Sequence, residues 1–322
     1  MEPMPLVSII IVSYNYEQFL RDAIDSALNQ TYKKIEVIVV DDGSTDSSPT
    51  IINSYGDQII KVLKKNGGEA SAVNAGVAAS SGDIICLLDS DDLYFPERIT
   101  KVVEFFNSSS EVGWVFTESA AVTTVDFQSS GAEAIFSDIR CKNVEKTFRK
   151  IDFRENIKRA ELPNFTPSSS NLCFSRSLLE QLFPLPEIKG FTGMALTDLY
   201  VTSIAVGLAT GYKTEQKLGI YRVHMKHKSL TLARRRRIYA EIYMTAGYWM
   251  KINFPAFKKL SKKLITKGYG AYLNSRHLKL DSADADCETM MSKYLMTLPF
   301  LEQIEARLMI FYYSIQLRSL YS

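Results

Sequence analysis

The sequence predicts an α/β fold: a mostly parallel sheet with helices on both faces, followed by an α-helical C-terminal region. Three observations carry that expectation. Short apolar runs alternate with stretches of helical periodicity up to about residue 107, the pattern of a parallel sheet covered on both faces. The main apolar runs end in polar or acidic clusters: Tyr14-Asn15, Asp41-Asp42 and Asp89-Ser90-Asp91-Asp92. From about Leu232 onward the pattern is helical. The chain therefore divides into an α/β domain over 1–230 and a helical region over 231–322.

Residues 7–12 read as a buried parallel strand. Asn15 is placed to cap the following helix, with Gln18 as its partner three residues on. Phe19, Leu20, Ala23, Ile24, Ala27 and Leu28 then recur at helical spacing. Residues 35–40 form the second strand, and the Asp41-Asp42-Gly43-Ser44 turn leads to a helix over 47–55. Residues 58–63 read as a weaker strand, Asn66-Gly67-Gly68 as a turn, and 69–79 as a helix of small residues. After Ser80-Ser81-Gly82, residues 83–88 form the strand that carries the carboxylates. Pro96 suits the first position of a helix whose apolar face is Ile99, Val102, Val103 and Phe106. Further on, 112–117, 172–174 and 216–223 read as strands and 199–208 as a helix, while 120–150 gives mixed signals. Phe300, Ile304, Leu308, Phe311 and Ile315 make one stripe on a last helix.

A chain of 322 residues with 46% hydrophobic and 23% charged residues is ordinary for a globular protein. No secretory signal and no membrane-spanning run are read. The four cysteines are far apart and form no Cys-x-x-Cys pair, so they are expected as reduced thiols in a cytosolic protein, without zinc. The net charge of +2 hides an asymmetry. Residues 211–280 hold 17 Lys and Arg against 2 acidic residues, and the remainder holds 21 against 34.

Asp89 and Asp91 are two apart, so an extended backbone points both side chains to one side. Two carboxylates so placed suit a hard divalent cation that bridges a substrate's phosphates. The alternative is a solvated turn that caps the next helix. A dinucleotide site is excluded because Ser13-Tyr14-Asn15-Tyr16-Glu17 stands where Gly-x-Gly-x-x-Gly is required, and no Walker loop occurs.

In this order and spacing, five stretches resemble a family 2 glycosyltransferase with the GT-A fold. They are 7–15 (VSIIIVSYN), 37–46 (VIVVDDGSTD), Asn66-Gly67-Gly68 running on to Asn74-Ala75-Gly76, Ser81-Gly82-Asp83, and Leu88-Asp89-Ser90-Asp91-Asp92. The resemblance is close over about 5–107 and thin to about 230. It implies an inverting transfer of sugar from a nucleotide-sugar donor, a UDP-sugar, to a glycan or lipid-linked acceptor. It implies that Tyr14 flanks the nucleobase, that Asp42 accepts from the uracil N–H, that Gly68 lets the backbone approach the donor and that Asn74 lies near the ribose or diphosphate. Asp89 and Asp91 are implied to hold Mg²⁺ or Mn²⁺, and Asp198 to be the general base, with Glu187 second. Thr197 departs from the acidic residue common before that base. His224 is implied to reach the metal or diphosphate, and Arg222 to support the fold or the phosphate. Residues such as Asp42 and Asn74 have plainer readings as a turn residue and a helix-surface residue.

The basic tail suggests an anionic membrane surface as a further partner. Its arginines at 234–237 and the aromatic Tyr248, Trp249, Phe254 and Phe257 make a peripheral attachment at the cytoplasmic face an expectation, with solvated charges over a core as the alternative. No nucleic acid is expected. A non-catalytic anion- or membrane-binding module is the rival reading, but it leaves the three strand-end clusters unexplained.

Overall fold

The computed structural model describes residues 4–142, 148–165, 167–187, 197–224, 232–275 and 287–319. Apolar side chains on both faces of Val7–Ser13 make it the central strand, β1. It pairs in parallel with β2 (Ile35–Asp41), which continues in parallel to β3 (Ile60–Leu63). The chain then returns to the other flank of β1 as β4 (Ile84–Asp89), also parallel. Strand order thus reverses between β1 and β4, and a crevice opens beyond their carboxyl ends.

Beyond β4 the expected parallel sheet becomes mixed. The two-residue β5 (Leu93–Tyr94), β6 (Val112–Thr123), β7 (Arg149–Ile151), β8 (Leu172–Ser175) and β9 (Thr210–Val223) complete the sheet. The strand β8 lies antiparallel to both β4 and β6, and β9 runs parallel to β6 but antiparallel to β5 and β7. Local periodicity carries no information about partners so far apart in sequence.

Helices α1 (Glu17–Leu28), α2 (Ser48–Ser54), α3 (Glu69–Ala79) and α4 (Arg98–Phe106) follow the strands. Alternation sorts the core. Ile9, Ile11, Val37, Val39, Cys86 and Leu88 face α1, α2 and α4, and Ile10, Ile38, Val40, Ile85 and Leu87 face α3. Gly76 permits the close seat of α3, since a Cβ there would meet Ile10 Cγ2 at 2.4 Å. The ambiguous 120–150 stretch contains the end of β6, α5 (Thr124–Ser130), α6 (Ala132–Lys142) and β7. Then come α7 (Arg154–Lys158), α8 (Arg176–Leu182) and α9 (Thr202–Leu208), which is entered by a π-helical turn over Thr197–Val201.

Two helices start differently from expectation. Asn15 has φ +56° and accepts the Thr45 N–H at 2.8 Å, so it ties two loops instead of capping α1. Pro96 lies in the turn before α4, which starts at Arg98. All four cysteines are unbridged, and Cys86 and Cys173 face each other across β4 and β8.

The C-terminal region is α10 (Leu232–Asn253), α11 (Lys258–Ser275), α12 (Cys287–Met296) and α13 (Phe300–Ser319). Met250, Phe257, Leu260 and Leu264 join the core on the α3 face of the sheet. Ala240, Met244, Ile265, Met291, Tyr294, Ala306 and Ile310 form a separate core among the four helices. The expected membrane aromatics are structural: Phe257 is buried, Trp249 and Phe254 pack on the first core and Tyr248 on the second. They occupy inward positions of helices that close on the sheet. Arg237 is likewise buried, bonded to Glu241 at 2.6 Å and lying over the Tyr272 ring. The side chains of residues 234–236 lie outside the described residues. Among the described residues no helix is long and apolar enough to cross a membrane.

Candidate functional site

The register brings the three strand-end clusters together as expected. Ser13 is opposite Asp41, and Val12 is opposite Asp89. The loops after β1 and β2 are stapled: Asn15 N–H donates to Ser44 Oγ at 2.9 Å, and Ser47 N–H donates to Glu17 at 2.7 Å.

Asp41 takes the turn, accepting from Ser44 N–H at 3.0 Å. Asp42, only 2% exposed, accepts from Lys64 Nζ at 2.6 Å, Gly67 N–H at 3.0 Å and Gly68 N–H at 2.8 Å. Three of its roughly four acceptor positions are thus engaged by its own protein, which leaves one for the uracil N–H that the resemblance implies. What it does is hold the 64–68 loop over the crevice. Gly68 has φ +86°, a conformation that favours glycine, and it begins α3. Tyr14 stands at the rim, 47% exposed.

The second acidic cluster is crowded. Asp91 Oδ2 lies 2.9 Å from His224 Nε2, whose ring is flanked by Phe19 and Tyr16. Asp92 turns inward, accepting from Arg222 N–H at 3.0 Å while its other oxygen is buried without a partner. Burial and then the Asp91 charge push the Asp89 carboxyl up to about 6. Burial, Asp89 and Asp91 raise Asp92 well above the usual carboxylate range. Arg222 serves the fold: it is buried, sits over Phe19 and Phe127, and bonds Asp22 at 2.9 Å.

Asp198 reaches the same crevice from the π-helical turn. Burial, then Asp89, then Glu69 raise its carboxyl well above the ordinary range, and Oδ1 is buried without a partner. Its neighbour is a 3₁₀ turn, Ser169–Asn171, at the end of a Pro- and Ser-rich stretch whose local pattern says no more than loop. Ser169 Oγ donates to Asp89 Oδ2, and the polarity of the Ser169 amide partly offsets the rise at Asp198. Ser170 Oγ accepts the Asp89 N–H at 3.0 Å. Behind the turn lies Arg98, fully buried over the Tyr94 ring. It donates to Ser170 O at 2.9 Å and to Thr117 Oγ1, and Thr117 bonds Asn171 at 2.9 Å. No carboxylate pairs with Arg98 among the described residues. Its position on the α4 periodicity, where a charge breaks the apolar face, was the available signal.

Two further tyrosines were missed. Tyr16 is pushed up to about 12 by burial, then Asp91 and Asp89. Tyr221 is raised by burial and then by the charges of Asp92, Asp91, Asp89 and Asp198. Asn74 is not brought to the crevice contacts. Its amide accepts Leu185 N–H at 2.7 Å and donates to Leu185 O at 2.9 Å and to Glu187 at 3.2 Å, so it anchors the 185–187 segment, and Glu187 is its partner.

Among the described residues no three side chains form a ready cation cage. Asp89 and Asp91 fit a hard divalent ion that takes its other ligands from water and substrate. The supporting observation is the like-charge crowding itself, which a cation relieves.

A sheet with an acidic crevice at its switch point and a buried carboxylate beside it is the arrangement of a ligand-binding α/β enzyme. Residues 8–183 match the family described as Glycosyl transferase family 2, and the chain belongs to it. An uncharacterized glycosyltransferase of Nostoc sp. is 29% identical over 286 residues, covering 85% of this chain and 80% of that protein. One of Rickettsia typhi is 52% identical over 103 residues, which is 32% of each protein. Among solved structures, residues 1–349 of Staphylococcus aureus TarS in complex with UDP-GlcNAc align with a TM-score of 0.60 at 14% identity, covering 96% of this chain and 89% of that one. That likeness establishes the GT-A fold.

Proposed function

We propose that the chain transfers a sugar, with inversion, from a UDP-sugar to a hydroxyl of a glycan or lipid-linked acceptor. The observation that carries this reading is the nearness of Asp89 and Asp198 beside the turn at Ser169: the turn donates to Asp89, and the Asp89 charge raises the Asp198 carboxyl. It couples the group that faces the donor diphosphate to the group that faces the acceptor. Asp198, with its raised proton affinity, takes the proton of the acceptor hydroxyl. The oxygen attacks the anomeric carbon, and the bond to the diphosphate breaks with its electron pair leaving on the phosphate oxygen. Asp89 and Asp91 would hold Mg²⁺ or Mn²⁺, which when bound would supply positive charge to neutralise the leaving diphosphate. His224 orients Asp91, and Tyr221 offers a hydroxyl to the same space. The 64–68 loop, pinned by Asp42, leaves the bare backbone of Gly68 toward the nucleotide. The UDP-GlcNAc found with TarS supports the choice of donor.

The test is a panel of nucleotide-sugars, scored by thermal stabilisation and by slow hydrolysis in the presence of Mn²⁺. UDP-sugars are expected to stabilise the protein most. Stabilisation by GDP- or CMP-sugars alone contradicts the donor assignment, and no response to any member contradicts the reaction.

A further inference from the structure

The last helix, α13, is apolar on two opposite sides. On one side Ala306 and Ile310 are buried in the helical core. Gly270 of α11 makes the close approach possible, since a Cβ there would lie 3.0 Å from the Ile310 carbonyl oxygen. On the other side Leu301, Ile304, Leu308, Phe311, Tyr312 and Ile315 are 41–77% exposed. At 3.6 residues per turn these six occupy about 100° of the helix circumference, the width of a stripe that packs against something. Single exposed apolar residues are ordinary, but a continuous stripe of this kind marks an interaction surface.

Charge decides what it fits. The helices α11 and α13 run side by side in the same direction, with Lys258 paired to Glu302 at 2.9 Å, Lys262 to Glu305, and Asn274 Nδ2 to Ser314 O at 2.8 Å. Lys258, Lys259, Lys262, Lys263, Lys267 and Arg307 outnumber Glu302 and Glu305 on these two helices by four, and α11 carries no acidic residue. A second copy docking on the stripe by two-fold symmetry brings two such cationic strips together, which is repulsive. An anionic lipid surface instead takes the apolar stripe into its acyl boundary and attracts the cations beside it.

We infer that α13 lies flat on an anionic membrane surface, its stripe among the acyl chains and the α11 lysines at the headgroups. The 20-residue helix attaches the protein without spanning the bilayer. The contact is carried by residues other than Arg237 and the aromatics the sequence suggested, because Arg237 and Phe257 are buried and Tyr248, Trp249 and Phe254 pack on the two cores. The inference is independent of the transfer reaction.

The experiment floats the full chain with phosphatidylcholine vesicles, with and without phosphatidylglycerol, over a salt series, alongside light scattering in the absence of lipid. A monomer that floats only with anionic vesicles, and less as salt rises, is expected. Leu308→Asp combined with Phe311→Asp should lower the vesicle-bound fraction at least tenfold while leaving the melting temperature and UDP binding unchanged. Lys259→Ser, a single exposed change that does not threaten folding, should weaken binding about fivefold. Protein that stays soluble with anionic vesicles at low salt overturns the inference, as do equal binding to neutral vesicles and full binding by these variants. A lipid-free dimer that Leu308→Asp with Phe311→Asp dissociates also overturns it, and assigns the stripe to a second copy.

Discussion

Two acidic runs close the two strands that flank β1, and the molecule treats them oppositely. At the end of β2, Asp41 and Asp42 are met by donors: the Ser44 amide, Lys64 and the Gly67 and Gly68 amides. At the end of β4, the nearest strong charges to Asp89, Asp91 and Asp92 are one another. Serines, one backbone amide and His224 serve them, and among the described residues no lysine or arginine side chain pairs with them. The same residue type at the same structural position is scaffold where its charge is answered. Where its charge is left crowded, it is poised for a positively charged ligand.

The comparison can be broken at several points, of which the acceptor side gives the largest effect. Asp198→Asn should lower transfer by two to four orders of magnitude, the share a positioned base contributes, with donor binding retained. Burial and Asp89 hold the folded-state carboxyl above its unfolded value of about 3.9. Ionising it as pH rises above that value therefore costs stability, and the loss grows until the folded group has titrated. The Asn variant escapes that loss and should melt no lower than wild type at neutral pH. Wild-type activity should fall on the acid side at a pH above the ordinary carboxylate range. A variant with near-normal turnover moves the base elsewhere, first to Glu187.

A smaller effect is expected from the turn behind both carboxylates. Ser169→Ala removes a hydrogen bond to Asp89 without touching the reacting atoms. Lost outer contacts of this kind typically cost at least tenfold in metal affinity or activity. We expect about tenfold weaker Mn²⁺ binding measured directly, largely restored in Ser169→Thr. Unchanged metal affinity in the Ala variant removes Ser169 from the account.

The smallest effects are the most direct reading of the contrast, because one substitution should have opposite signs at the two clusters. Asp42→Asn breaks an ion pair and weakens two amide bonds, and should lower stability by about 2 kcal/mol. Asp92→Asn removes a buried charge whose folded-state carboxyl lies above its unfolded value, so in metal-free buffer near neutral pH it should melt at or above the wild-type temperature. Thermal melts with the same sign for both variants would abolish the distinction.

The strand-end clusters and the α1 to α4 order were legible because alternation and helical periodicity are local. The helix over Glu69–Ala79 was read to the residue. Asp198 was legible only through the family resemblance, since nothing in Thr197-Asp198-Leu199 states where the π-helical turn will carry it. The Ser169 turn was not legible, and Arg98 showed only as a charge on the apolar face of α4: their importance lies in bonds to Asp89, Asn171 and Thr117, which sequence distance conceals. The basic tail did not show which cations stay at the surface, because charge counting cannot tell Arg237, folded against Glu241 and Tyr272, from Lys259. The stripe from Phe300 to Ile315 was seen, yet periodicity alone did not show which side of the helix would be covered.

The central claim is that the β4 carboxylates, and not the β2 pair, hold the cation that binds the donor diphosphate. Calorimetric titration of UDP with and without Mn²⁺ tests it on wild type, Asp91→Ala and Asp42→Asn. The account predicts that Mn²⁺ strengthens UDP binding at least tenfold in wild type and in Asp42→Asn, and that Asp91→Ala abolishes the enhancement while remaining folded. UDP binding that is indifferent to Mn²⁺ in the wild type, or an enhancement that survives in Asp91→Ala, would contradict it.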